Sequence, residues 1–119
     1  MSKRVNFALA ALATLVLAAP AAAWAHAFLR QASPAAGAVL HTAPSVVRIE
    51  LTERLEAAFS RIAVTNDTGL DVTQGAIHVE GAVMWIALRP LARGAYDVRW
   101  RALSVDTHQT EGTYRFTIQ

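Results

Sequence analysis

Cysteine is absent from all 119 residues. That excludes disulfides, thiolate metal sites of the zinc-finger, iron–sulfur and blue-copper kinds, and every cysteine nucleophile. Lysine is almost absent too: Lys3 stands beside Arg4 in the first residues, and every later cation is an arginine. From His26 onward nine arginines face nine acidic residues, so the formal net charge of +2 resides in those two N-terminal cations. A neutral domain lacks the basic field that nucleic-acid binding needs, and that function is excluded. Long apolar runs are equally scarce. The one candidate, Phe7 to Ala19 broken only by Thr14, is short for a bilayer span of ~20 residues.

What is there begins with that run. A basic start, an apolar stretch, Pro20 and then the small residues of Ala23-Trp24-Ala25 match a secretory signal peptide cut after Ala25. Residues 1–25 are therefore expected to be removed and residues 26–119 to form one exported domain, with His26 as its first residue. About 94 residues suffice for one compact core and not for two.

Within 26–119 a period of two dominates. Val47, Ile49 and Leu51 alternate with Arg48 and Glu50, and Ile62 and Val64 lead into the turn-prone Asn66-Asp67-Thr68-Gly69. Ile77 and Val79 flank His78, Gly81 precedes the apolar run Val83 to Leu88, and Pro90 and Gly94 bracket a connection. Tyr96, Val98 and Trp100, then Tyr114, Phe116 and Ile118, complete the series. The spacing predicts an all-β antiparallel sandwich or barrel of about seven strands. Residues 26–44 read as a leading strand and a loop, and Leu55 to Phe59 can form no more than a helical turn. No exposed apolar stripe signals a dimer, so a monomer is expected.

Four histidines are present, and two of them are candidates to carry chemistry. His26, once exposed by cleavage, offers a ring nitrogen and the only primary amine of the processed chain, two donors able to close a chelate ring. Asp106 and His108 are two apart, so in an extended backbone they point to one side while Thr107 faces away. Three nitrogens and an oxygen in a plane suit copper(II), which heads the divalent affinity order, while zinc accepts the same donors tetrahedrally. An Asp-x-His taken alone is more often a hydrogen-bonded pair than a metal site; the combination with His26 is what raises it. His41 and His78 read as surface residues, Glu53 as an acid near the end of a strand, and Trp100 and Tyr96 as core.

The stretches His26-Ala27-Phe28-Leu29 through Ser33-Pro34, Ile49 to Glu53 and Phe59-Ser60 resemble the first half of copper resistance protein C (CopC) proteins. Pro90 through His108, then Glu111-Gly112 and Tyr114-Arg115-Phe116, resemble the family's closing GxYxVxWxxxSxDxH…G…F pattern. The resemblance spans residues 26–119. It implies an immunoglobulin-like, cupredoxin-type Greek-key fold and a periplasmic, non-enzymatic carrier of one copper(II) ion held by His26, Asp106 and His108. It also implies a CopD-type inner-membrane copper transporter as partner, Glu53 near the site and Trp100 buried close to the metal. Val64 to Val79 holds no methionine, and Met84 is the sole one after Met1, so the soft copper(I) loop of some relatives is not expected. A rival reading is a histidine-brace copper oxidase or monooxygenase, against which stand the short chain and the lack of an aromatic-rich surface for a polymer.

Overall fold

The computed structural model describes residues 29–119. The expected leader, residues 1–25, and the expected ligand His26 lie outside the described residues. Eight strands form: β1 (Leu29–Ser33), β2 (Val39–Leu40), β3 (Val46–Leu51), β4 (Arg61–Asn66), β5 (Thr73–Glu80), β6 (Val83–Leu88), β7 (Gly94–Leu103) and β8 (Gln109–Ile118). One 3-10 turn, Ala57–Phe59, separates β3 from β4. The strand beyond the expected seven is the two-residue β2, inside the segment read as a loop. It pairs in parallel with the end of β8, through Val39↔Thr117 and Leu40↔Ile118, in an otherwise antiparallel fold.

Two four-stranded sheets result, ordered β1-β3-β6-β5 and β2-β8-β7-β4. The hairpins β5–β6 and β7–β8 stay within a sheet, whereas β3 to β4, β4 to β5 and β6 to β7 cross between sheets. That wiring is the Greek key of an immunoglobulin-like sandwich.

Alternation decides what lies between the sheets. Val47, Ile49 and Leu51 point inward from β3 and meet Val64 of β4 and Val98, Trp100 and Ala102 of β7, all buried. The apolar run Val83–Leu88 turns out to be one-sided: Met84, Ile86 and Leu88 are buried, Val83 and Trp85 are half-buried, and Ala87 is exposed. Each large side chain placed fully inside contributes about 1.5–3 kcal/mol, which is how a chain without disulfides holds together.

The β7–β8 hairpin is the longest ladder, paired continuously from Gly94↔Ile118 to Leu103↔Gln109. Tyr96 anchors its base, stacking on Phe116 at 5.4 Å and donating from its hydroxyl to the Ala92 carbonyl oxygen at 2.7 Å. Further along, Trp100 lies opposite Gly112, and a Cβ at Gly112 would stand 2.8–2.9 Å from the indole. Glycine is required there because the tryptophan ring occupies the space of a side chain.

One end of the sandwich gathers three segments. Leu29, the first described residue, pairs with Leu51 at the end of β3. Four residues later Leu55 bridges Ser104, just beyond β7. Glu56 N–H donates to the Leu103 carbonyl at 2.8 Å, and Val105 N–H to that of Arg54 at 2.9 Å. The start of β1 and the tip of the β7–β8 hairpin therefore share that end.

Candidate metal centre

The hairpin tip is a three-residue loop, Val105–Thr107. Ser104 N–H donates to the His108 carbonyl at 2.9 Å, closing the ladder, and Thr107 N–H to that of Ser104 at 2.9 Å. Thr107 adopts φ 73°, the left-handed conformation that closes such loops and that a β-branched residue adopts only at a cost. Asp106 and His108 are thus not on an extended strand, as the spacing suggested. They converge because the chain turns back between them.

Convergence is close: Asp106 Oδ2 lies 3.1 Å from His108 Nδ1, with both side chains about half open to solvent. Beneath them Ser104, 3% exposed, acts as a hub. Its hydroxyl donates to Asp106 Oδ1 and accepts the His108 backbone N–H at 3.2 Å. The Ser104 hydrogen bond is the main cause holding the Asp106 carboxyl below its ordinary value of 3.8, with the His108 contacts adding to it against partial desolvation. The carboxylate is therefore ionised and fixed in orientation at neutral pH. Ser104 went unassigned in the sequence; its signal is its place two residues before the aspartate in S-x-D-x-H.

A second buried serine braces the adjoining segment. Ser60, fully buried, donates from its hydroxyl to the Glu56 carbonyl at 2.9 Å and accepts Leu103 N–H at 3.4 Å. It ties the 3-10 turn to the end of β7, next to the hairpin tip.

The donor pair suits one ion. Two atoms bound at ~2.0–2.1 Å stand roughly 2.9 Å apart at a square corner and roughly 3.3 Å apart in a tetrahedron. The observed 3.1 Å falls between, so the spacing admits either geometry once the Nδ1 proton is lost. Two donors are not a complete site. Among the described residues no group of three or more His, Cys, Asp or Glu is assembled to hold a metal, so Glu53 is not gathered in. His41, before β3, and His78, on β5, are exposed; His78 stacks on Trp85 at 5.4 Å, on the outer face of the other sheet. Trp100 is core, as expected, at 3% exposure.

Comparison with known proteins agrees with the architecture. The CopC domain profile matches residues 29–119. Protein YobA of Escherichia coli K12 is 30% identical over 122 residues, covering 99% of this chain and 97% of YobA. The crystal structure of CopC from Methylosinus trichosporium OB3b superposes with TM-score 0.72 at 32% identity, covering 77% of this chain and 92% of that one. The crystal structure of PcoC, a methionine-rich copper resistance protein from Escherichia coli, does so with TM-score 0.68 at 31% identity, covering 77% and 97%. With its sandwich, its S-x-D-x-H hairpin and a profile match over every described residue, the chain belongs to the CopC family.

Proposed function

We propose that this protein is a non-catalytic periplasmic carrier that binds one copper(II) ion and delivers it to a membrane partner of the CopD type. The observation that carries the reading is the Asp106–His108 half-site, preset on Ser104, at the end of the sandwich where the chain enters β1. His26 lies three residues before Leu29. An extended chain spans at most ~3.3–3.6 Å per residue, so the His26 backbone, with its amine, stays within roughly 11 Å of the Leu29 backbone. Amine and ring of His26, ring of His108 and carboxylate of Asp106 then make three nitrogens and an oxygen, a set suited to copper(II).

Two further facts support this oxidation state and role. Met84, the sole methionine after Met1, is fully buried, so no thioether is offered at the described surface for copper(I). The two resolved donors are about half open to solvent, which suits an ion that must be released.

The test is a copper(II) titration of protein beginning at His26, beside a version with one extra residue in front of it. Electron paramagnetic resonance and tryptophan fluorescence follow the binding, with Trp85→Phe leaving Trp100 as the reporter. Tight one-to-one binding that collapses in the extended version is expected. Equal binding by both removes the amine from the site and overturns the assignment.

A further inference from the structure

The outward face of the β4-β7-β8 sheet carries charge that the fold does not use. In its first row Thr65, Asp97 and Arg115 lie side by side, and Arg115 neutralises Asp97 through two hydrogen bonds at 2.9 and 3.3 Å. In the second, Arg99 stands between Ala63 and Thr113. It makes no hydrogen bond or ion pair among the described residues, although its charge helps keep Asp97 ionised. In the third, Arg61 lies directly across from Arg101. Like charges in that position destabilise a sheet, and the sole acid in the row, Glu111, approaches Arg101 at only 3.7 Å with both groups exposed. Arg61 is steered by a hydrogen bond from Nη1 to the Ser60 carbonyl at 3.2 Å.

This surface is hollow as well as charged. A depression of about 500 Å³ surrounds Arg99, where Ala63 and Thr113 leave room. A second, of about 340 Å³, is bounded by Phe59, Arg61, Arg101 and the pair Leu103 and Gln109. That pair is the last rung before Ser104 and His108, so the hollow begins one rung from the candidate metal ligands. Phe59 is 63% exposed at its rim, an apolar anchor beside two guanidinium groups.

We propose that this face docks an acidic protein surface, whose carboxylate side chains enter the two hollows and pair with Arg61, Arg99 and Arg101 while an apolar residue covers Phe59. Arginine matches a carboxylate with two parallel hydrogen bonds, and a bound carboxylate relieves the Arg61–Arg101 repulsion that the free chain bears. The two hollows beside these exposed guanidinium groups favour carboxylate side chains, which can reach in, over the flat headgroup plane of a membrane. The inference deepens the carrier reading by naming the chemistry of the acceptor: docked here, an acidic partner stands beside Asp106 and His108. Only the partner's role as metal acceptor rests on that reading; the docking does not.

The probe is polyglutamate of about 20 residues, added without copper to protein beginning at His26, with arginine Nε–H resonances followed by NMR. Arg61, Arg99 and Arg101 are expected to shift. The pair Arg61→Glu with Arg99→Glu should weaken binding at least ~10-fold, because like charges then meet across the contact. The control pair Arg48→Glu with Arg93→Glu, equal in charge change and placed elsewhere, should weaken it less than ~3-fold. Equal weakening by both pairs, or no shift at the three arginines, overturns the proposal. Binding to vesicles rich in anionic phospholipid but not to polyglutamate overturns it in favour of a membrane surface. Copper titration of the Arg61→Glu, Arg99→Glu variant should stay one-to-one. Polyglutamate binding by wild type that fails to bind copper sinks the carrier reading and leaves the docking face standing.

Discussion

Two connections in this chain are built around side-chain oxygens, and they lead to opposite chemistry. Between β4 and β5, Asn66 Oδ1 accepts Thr68 N–H, the Thr68 hydroxyl and Leu70 N–H at 2.8–3.1 Å. Five residues on, Asp71 Oδ1 accepts Thr73 N–H and the Thr73 hydroxyl at 2.7 and 2.6 Å. Asn66 and Asp71 are both consumed in shaping their own backbone. Between β7 and β8 buried Ser104 carries most of the shaping: Asp106 Oδ1 accepts its hydroxyl and, at 3.4 Å, the His108 N–H, while Oδ2 is kept turned toward the His108 ring. A turn that uses up its acceptor is complete as structure, whereas one held from beneath by a third group can present donors to a ligand.

The widest separation between the two turns should come from His108→Ala. Its ring is largely exposed, so folding stability should move by no more than about 0.5 kcal/mol. Copper(II) affinity, measured by competition with a chelator, should fall at least ~100-fold, about 2.7 kcal/mol. A large loss of stability with little loss of affinity would make this histidine structural and erase the contrast.

Ser104→Ala should cut across both properties. It removes the hydroxyl that bonds Asp106 Oδ1 and the His108 backbone N–H, a loss of roughly 0.5–1.5 kcal/mol readable by urea unfolding, because that N–H keeps Asp106 Oδ1 as a second acceptor at 3.4 Å. Asp106 also loses its anchor, and removing a group that orients a metal ligand lowers affinity by about 10–100-fold. Unaltered affinity in a destabilised protein would show that the hub shapes the turn and not the donors. Asn66→Ala is the counterpart, with an expected loss of about 1 kcal/mol of stability and copper affinity unchanged. Any shared effect on copper would mean that the two turns are coupled through the sandwich.

Legibility in the sequence followed the same division. Strands with one buried face announced themselves, as in Val47, Ile49 and Leu51, because a period of two maps directly onto inside and outside. The apolar stretch Val83–Leu88 hid its alternation, since Val83, Trp85 and Ala87 are outward-facing yet apolar, and only the partner strands show which side is core. The two residues of β2 offered no pattern to read; their parallel pairing is made by the distant β8. Asp106 and His108 were legible as a pair. Their true relation was not, because it depends on Thr107 accepting a left-handed backbone and on a serine whose burial is a tertiary fact. The Arg61–Arg101 opposition was invisible for the same reason: forty residues separate two side chains that register alone makes neighbours.

The finest test of the contrast concerns Asp71, whose charge has only a structural task. The Thr73 hydroxyl, then the Thr73 N–H, hold its carboxyl below the ordinary 3.8, and the positive charge of Arg89 adds to them against slight desolvation. A folded-state value below the unfolded one means that the ionised form stabilises the fold. That contribution is fully present above the unfolded value of 3.8 and is lost as pH falls through the folded one. Asp71→Asn keeps an acceptor oxygen but removes the charge, and the site is exposed. The deficit near neutrality should therefore be a few tenths of a kcal/mol. It should shrink below about pH 4 and vanish once the wild-type carboxyl is protonated. Urea midpoints for both proteins near neutrality and near pH 2.5 measure the gap. A gap that stays constant would assign the effect to altered geometry instead of charge. Copper affinity near neutrality should be the same in both proteins, because nothing that Asp71 holds reaches the hairpin where Ser104 leaves Asp106 and His108 turned outward.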